Sequence, residues 1–290
     1  MRLSQKYLNS AGKAKSMGEM LVSDFSLAHT LDSGQFFRYL LHDCWYYIVS
    51  REKVFRVQQE GSKLFFEGAS AGFVRHFFGL DENYLEIRHQ LSKDPVLRLA
   101  MKKYPGLRLI RQDPWECTVG FLCSQFSNIK KIKKNMECIA ERFGKEVVFK
   151  GKKFFTFPSP GSLKDVAKLK KCAVGFRAKY IAGVNAKVDD AFFAKLRGMQ
   201  YKTAKERLME LPGIGEKVAD CICLFSLNFT ESFPVDVWME RVVKEQYVGA
   251  KKVKLKDLAE FGRQRWGRMA GYAQQYLYHW RRLHGQTRRD

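Results

Sequence analysis

The sequence predicts an α+β fold, mostly α, in which an N-terminal antiparallel β-sheet is followed by helices running to the C-terminus. Three observations carry that prediction. Between Asp24 and Glu67, short runs rich in aromatic and β-branched residues (Cys44–Val49, Lys53–Val57 and Lys63–Glu67) are separated by charged or Gly turns. From Gly72 onward, apolar residues recur at helical spacing. Finally, Leu211-Pro-Gly-Ile-Gly-Glu-Lys-Val-Ala-Asp220 sets a turn-forming proline and two glycines between two helix-like segments, so the pair should meet in a tight hairpin.

Taken in order, residues 1–22 are polar and basic and are expected to form a loosely ordered lead-in. After the strands, Phe73, Phe77 and Phe78 mark one helix, Tyr84–Leu91 a second entered from Asp81, and Pro95 opens a third that stops before Pro105. Asp113-Pro-Trp-Glu116 combines an N-cap carboxylate, proline at the first helical position and glutamate at the third. The helix it starts is apolar through Val119, Phe121, Leu122 and Cys123, as a central helix would be. A basic helix follows from Asn128 through Lys134, its apolar side reaching Ile139. Lys145–Phe157 mixes basic and aromatic residues, and Pro158 and Pro160 mark a loop. Gly175–Tyr180 begins another helix. The hairpin helices come next, Thr203–Glu210 and the one carrying Val218, Cys221, Ile222 and Phe225. A last helix spans Gly271–Tyr278 and runs into the basic tail Arg281–Arg289. There is no internal repeat and no low-complexity segment.

With 290 residues the chain can bury a core in one to three compact units. A formal net charge of +22 and a pI near 9.7 imply a polyanionic partner. Nucleic acid is the simplest such partner, and an acidic membrane surface is the competing reading. No apolar run approaches the roughly 20 residues of a membrane span, and no secretory h-region with a cleavage site is evident. An intracellular, soluble protein is expected. Seven cysteines, at 44, 117, 123, 138, 172, 221 and 223, show no metal-ligand grouping, and six of them are expected to be reduced, mostly buried thiols. The six histidines are scattered without HxE or HExxH, which leaves zinc deaminase and zinc protease chemistry unsupported.

The hairpin is where chemistry concentrates. Unpaired amides around Gly213 and Gly215, at the positive end of the following helix, favour an anion such as a backbone phosphate. Lys217 stands in the first turn of that helix. Asp236 follows 19 residues later, behind Pro234, where it can cap another helix.

This combination resembles the helix-hairpin-helix DNA glycosylases, and within them the 8-oxoguanine DNA glycosylase/AP lyases. Five signposts occur in the family's order: Ser33-Gly-Gln-Phe-Phe-Arg38, Gln112-Asp-Pro-Trp-Glu-Cys117, Gly175-Phe-Arg-Ala-Lys-Tyr180, the hairpin with Asp236, and Ala270-Gly-Tyr-Ala-Gln274. The four-cysteine iron–sulfur loop of endonuclease III-like relatives is missing, since no cysteine follows Cys223. The resemblance implies an antiparallel sheet domain with associated helices over 1–95. It also implies a helical domain over 96–240 holding the hairpin (211–228), and C-terminal helices over 241–290 that close a cleft.

It further implies duplex DNA containing oxidised guanine as partner, no metal or organic cofactor, and a monomer. Lys217 would attack C1′ and Asp236 would stabilise the developing positive sugar or orient and deprotonate the amine. That amine must be neutral to attack. Burial, the helix's positive end and the cationic surroundings favour the neutral form, and a charged Asp236 opposes it. Gly34 would offer its carbonyl to the N7–H that only the oxidised base carries. Cys221 and Tyr278, where Phe is more usual, would sandwich the extruded base, and Gln274 would address its Watson–Crick edge. His279 is read as structural or solvated.

On the DNA side the chain departs from the family's NNNIxR run. Ser124-Gln-Phe-Ser-Asn-Ile-Lys-Lys131 places Phe126 at the wedge that fills the vacated stack and Lys131 where an arginine would read the orphaned cytosine, with Asn128 beside them. Arg177 is kept, but Phe176 replaces the usual tyrosine. Lys130, Lys133, Lys134 and the tail from Arg281 are candidates for phosphate. Two other readings stay open: an adenine-mismatch or alkyl-base glycosylase, which generally lacks the lysine, and a non-catalytic hairpin module that only holds phosphates.

Overall fold

The computed structural model describes residues 17–249 and 254–284. Five strands, β1 (Gly18–Leu21), β2 (Tyr39–His42), β3 (Trp45–Ser50), β4 (Lys53–Glu60) and β5 (Lys63–Glu67), form one antiparallel sheet in the order β1-β5-β4-β3-β2. A short helix, α1 (Leu27–Asp32), lies between β1 and β2 in sequence. Alternation sorts the strand residues onto two faces. Ile48, Phe55, Val57, Leu64 and Phe66 bury one face against Val74, Phe77 and Phe78 of α2 (Ala71–Phe77) and its C-cap. Tyr47, Val49 and Val54 bury the other against Phe154.

Gly18–Leu21 was expected in a loose lead-in and is instead an edge strand paired with β5. Its glycine is dictated by packing, since a Cβ there would sit 2.3 Å from the Phe66 ring. The rest of the expected lead-in, residues 1–16, lies outside the described residues. The helix α3 (Tyr84–Leu91) also starts differently from expectation. Asn83 caps it, while Asp81 pairs with Arg111 at 2.6 Å.

The helical part comprises α4 (Pro95–Lys103), α5 (Pro114–Ser124) and α6 (Ile129–Phe143), then the hairpin β6 (Glu146–Phe149) and β7 (Lys152–Phe155), then α7 (Val166–Lys170), α8 (Arg177–Asn185) and α9 (Asp190–Arg197). It continues with α10 (Tyr201–Met209), α11 (Glu216–Ser226), α12 (Val237–Val243), α13 (Leu255–Trp266) and α14 (Ala270–His284). Central α5 is buried from Pro114 to Cys123 and packs against α6, α8 and α11. At the crossing of α14 with α11, a Cβ on Gly271 would lie 2.2 Å from Leu224 and 2.9 Å from the Thr230 carbonyl. A larger residue there would push apart the two helices that carry the candidate chemistry, at a cost of about 1–3 kcal/mol.

The family-like motifs near the sheet act mainly as joints. Buried Arg38 spans to Glu116 of α5 (3.3 Å) and Glu137 of α6 (3.0 Å). Buried Gln35 donates to the carbonyls of Arg108 (2.8 Å) and Thr30 (3.3 Å) and accepts from the Ile110 amide (2.7 Å). Gln112 donates to the Gln35 carbonyl, and its own amide donates to the Phe225 carbonyl at the end of α11. The loop carrying Gly34 is therefore fixed to α11 by paired, buried polar groups, whose loss would leave unsatisfied atoms costing about 1–3 kcal/mol each.

Candidate active site

The hairpin between α10 and α11 is built as its composition requires. Gly213 has φ +77°, and a Cβ on it would penetrate the Tyr180 ring at 2.4 Å. Ile214 is buried, anchoring the turn to the core. Gly215 precedes α11 with open space around it, and no side chain caps the helix start. Uncapped first-turn amides can accept an anion from solvent.

Lys217 lies in that first turn, partly buried. Its ammonium donates to Ser124 Oγ (3.2 Å) at the end of α5 and sits 5.1 Å from the centre of the Phe121 ring. One turn along lies the buried Cys221 thiol, on which the Lys217 charge acts. Burial pushes that thiol up to about 12, against the opposing pull of the Lys217 charge, so it stays protonated at neutral pH. Asp236 caps α12, its Oδ1 accepting from the amides of Trp238 (3.0 Å) and Met239 (2.9 Å). Burial is the largest cause raising both the Cys221 thiol and the Tyr278 hydroxyl, and the negative charge of Asp236 acts on both in the same direction.

Tyr278 and Gly34 are neighbours. Gly34 has φ +83°, and a Cβ on it would lie 3.0 Å from Ile129 Cδ1 and 3.3 Å from the Tyr278 ring. Only glycine leaves room for that approach. Gln274, one turn before Tyr278 on α14, is buried with its Oε1 lacking any hydrogen-bond partner. A buried acceptor left unpaired is costly unless a ligand supplies the donor. The adjacent Gln275 donates to the Ser33 carbonyl (3.0 Å), locking α14 to the Gly34 loop. His279 is buried against Tyr104, with ring centres 4.4 Å apart. It is held neutral, down to about 3, by burial and then by Arg282 and His29, and so is structural and not solvated.

Lys217, Cys221, Asp236, Tyr278 and Gly34 thus converge, with Gln274 a helical turn from Tyr278. The segment after α5 borders the same region from the other side. Phe126 is 94% exposed with φ +47°, and the Phe176 ring, itself half exposed, lies 6.4 Å away. Asn128 caps α6, accepting from the Lys131 amide (2.9 Å), and Lys131 itself is exposed.

Arg177 was expected to face the base opposite the lesion. It is instead buried under the segment, donating to the carbonyls of Gln125, Phe126 and Val174. Lys133 also departs from its expected role as a phosphate contact. It is half buried with its ammonium 3.5 Å above the Tyr39 ring, whereas Lys130 and Lys134 are exposed. Of the basic tail, Arg281 pairs with Glu245 (2.8 Å) and Arg282 donates to the Asp32 carbonyl, while 285–290 lie outside the described residues. All seven cysteines are free, and no metal-holding cluster occurs among the described residues. Ser124, Gln125, Ile129 and Gln275 also belong to the site and were missed, because their partners lie 88 or more residues away in sequence, or beside a glycine that has no side chain.

Residues 19–118 match the family model described as 8-oxoguanine DNA glycosylase, N-terminal domain. The chain is 34% identical over 224 residues to a probable N-glycosylase/DNA lyase of Methanothermobacter thermautotrophicus, covering 69% of this chain and 72% of that one. It is 28% identical over 271 residues to the N-glycosylase/DNA lyase of Saccharomyces cerevisiae, covering 81% and 72%. Among solved structures, MBOgg1 in complex with a low affinity DNA ligand superposes with a TM-score of 0.89 at 34% identity, covering 94% of this chain and 98% of that one. The Clostridium acetobutylicum 8-oxoguanine glycosylase/lyase, bound to duplex DNA with cytosine opposite 8-oxoguanine, superposes at 0.85 with 31% identity, covering 94% and 99%. With the hairpin lysine and the aspartate that follows it, these likenesses place the fold among the helix-hairpin-helix DNA glycosylases. Within that class, the chain belongs to the 8-oxoguanine DNA glycosylase/lyase family.

Proposed function

We propose that this chain excises 8-oxoguanine from duplex DNA and then cleaves the abasic strand, with Lys217 as the nucleophile for both steps. The observation that carries the assignment is the Lys217 amine. It is held by Ser124 in the first turn of the hairpin's second helix, one turn before the buried Cys221 thiol, and Asp236 caps the helix that follows. The +22 charge and the uncapped start of α11 suit a bent duplex whose backbone phosphate sits at the Gly213–Gly215 hairpin.

The target base leaves the stack at a cost of a few kcal/mol. Tyr278 and Cys221 flank it, the Gly34 carbonyl accepts from N7–H, and the unpaired Gln274 Oε1 accepts from an edge N–H. One such carbonyl contact discriminates by about 1–3 kcal/mol, so selection is shared among these groups. The neutral Lys217 amine attacks C1′, the C1′–N9 bond breaks, and the base departs with the bonding pair and takes up a proton. Asp236 stabilises the positive sugar and receives or directs the amine proton. Sugar-ring opening yields a protonated Schiff base between Lys217 and C1′. Loss of a C2′ proton breaks the C3′–O bond by β-elimination, and water then hydrolyses the imine and frees the lysine.

The thiol of Cys221 has no nucleophilic part in this scheme. Neither step needs a metal or organic cofactor. The reading includes a DNA-associated monomer, in the cytoplasm of a bacterium or archaeon or in a nucleus, divided at about residues 95 and 240. Lys217→Gln tests it. Excision and strand cleavage are expected to fall at least about a thousandfold, borohydride trapping to vanish and DNA binding to persist. Excision at the parent rate would remove Lys217 from the mechanism.

A further inference from the structure

Resting on the proposed reaction, we infer that Asp220 is a positioning residue. Its buried carboxylate joins the helix that carries Lys217 to the segment that delivers Asp236, and so fixes the two groups relative to each other. Asp220 lies three residues after Lys217 on α11 and is 1% exposed. A carboxylate buried without partners is costly, and this one is well supplied. Its Oδ1 accepts from the Tyr201 hydroxyl and from Ser232 Oγ (3.1 Å), and its Oδ2 from the Lys205 ammonium (3.0 Å). Ser232 Oγ also lies 2.8 Å from the Asp220 main-chain carbonyl, to which it donates. Tyr201 and Lys205 belong to α10, the helix that enters the hairpin, and Lys205 reaches Glu216 at the start of α11 as well (2.5 Å). Burial, and then the charge of Asp220, pushes the Tyr201 hydroxyl well above its usual range, so it remains a donor to the carboxylate. It accepts in turn from Arg263 of α13 (3.1 Å).

Ser232 is the partner that concerns the chemistry. It is buried four residues before Asp236, and the chain between them has little freedom, because Phe233, Pro234 and Val235 are all buried. Phe233 stacks on Trp266 with ring centres 5.4 Å apart, and it lies so close to α13 that a Cβ on Gly262 would sit 2.5 Å from its ring. A displacement of Ser232 is therefore passed along a short, packed segment to the Asp236 carboxylate. Lys217 is held separately, by Ser124 of α5 (3.2 Å). Loosening the contact between Asp220 and Ser232 would thus move Asp236 while leaving the tether of Lys217 in place. Misplacement on the scale of an ångström costs up to about a hundredfold in rate.

A positioning role and a merely structural one predict different patterns. Single-turnover excision of 8-oxoguanine would be measured for the parent, Ser232→Ala, Asp220→Asn, Asp236→Asn and the two double variants with Asp236→Asn. Melting temperature and affinity for duplex DNA carrying a tetrahydrofuran abasic-site analogue would be recorded for each. Ser232→Ala removes one hydroxyl and is expected to slow excision about fivefold. Asp220→Asn also takes the charge from Lys205 and is expected to slow it about thirtyfold. Both lower the maximal rate and leave the half-saturating enzyme concentration and the affinity for the analogue unchanged. Each factor disappears in the Asp236→Asn background, where the charge to be placed is gone. Losses that multiply with Asp236→Asn, or that track a loss of DNA affinity or of folded protein, would overturn the role. Ser232→Ala leaves the Lys205 pair intact, so it keeps the test decisive if Asp220→Asn folds poorly. Undiminished excision by Lys217→Gln would overturn the role together with the chemistry on which it rests. Multiplying losses beside an inactive Lys217→Gln would overturn the role alone.

Discussion

The two sides of the site are built on opposite principles. On the lesion side, Cys221, Gln274 and Gln275 are buried, Gly34 is fitted to the Tyr278 ring, and the loop that carries it is locked by Gln35, Gln112 and Gln275 before any substrate arrives. On the side facing the intact strand, Phe126, Asn128 and Lys131 are exposed, and order comes from beneath, through Arg177. A preorganised buried donor or acceptor discriminates between bases because a mismatched partner leaves it unpaired. An exposed ring that works by stacking accepts any base. On the proposed reading, the contrast places selectivity in the lesion and little of it in the partner base.

The largest effect on that comparison is expected from Asp236→Asn. Asparagine caps a helix as well as aspartate does, so the amides of Trp238 and Met239 keep their acceptor and the melting temperature should move little. Removing the negative charge should nevertheless slow excision about a hundredfold. If stability fell and the single-turnover rate did not, Asp236 would be a cap with no part in the reaction.

A smaller effect is expected at Gln274, and here stability and activity should move in opposite directions. The buried Oε1 has no protein hydrogen-bond partner, so replacing it removes no hydrogen bond within the fold. Gln274→Leu should therefore leave the melting temperature unchanged or raised, while kcat/KM for 8-oxoguanine falls by about 1–3 kcal/mol of transition-state binding, roughly five- to 150-fold. A destabilised variant with full activity would show that the amide serves the core and not the base. Smaller again is the electrostatic contribution of α6. Lys130→Ala and Lys134→Ala should each flatten the slope of log affinity against log salt by about 0.9 if the ammonium neutralises a phosphate. Lys133→Ala should not, because its charge rests on the Tyr39 ring. Equal slopes for all three would remove α6 from the phosphate-binding surface.

What the sequence made legible follows the same division. The hairpin, the Asp113 and Asp236 caps and the long helices were readable because Pro, Gly and Asp act through local backbone geometry. Strands β3–β5 were readable from their apolar, aromatic-rich runs, whereas β1 was not: four residues with a glycine carry no pattern, and Gly18 is explained only by Phe66 across the sheet. Arg38, Gln35 and Gln112 could be recognised as family-like motifs, yet their action as joints depends on partners up to 117 residues away. The contacts of Arg177 were hidden for a related reason. A family-like arginine beside an aromatic suggests recognition, and only the fold reveals that its donors meet three carbonyls. Lys133 was read as a phosphate candidate in a charge run until Tyr39 was brought beneath it.

The smallest expected effect tests the permissive side most directly. Phe126 can fill the gap left by the extruded base beside any orphaned partner, since every base has a π-face. Lys131 is exposed, at the position where the family's NNNIxR run carries an arginine, and offers a point charge instead of a planar fork. A bidentate arginine–base pair is worth about 1–3 kcal/mol of discrimination. Its absence, with Arg177 engaged elsewhere, predicts that excision opposite cytosine exceeds excision opposite the other three bases by well under a hundredfold. Lys131→Arg should then sharpen that preference about fivefold, the lower end of the range, because the substituted fork has no neighbouring group to hold it flat. The gain should appear as slower excision opposite the other bases more than as faster excision opposite cytosine, since the lesion-side geometry is unchanged. Single-turnover rates opposite all four bases decide the matter. A parent preference of a hundredfold or more, or no change in Lys131→Arg, would mean that selection of the partner base is exercised by residues other than this segment.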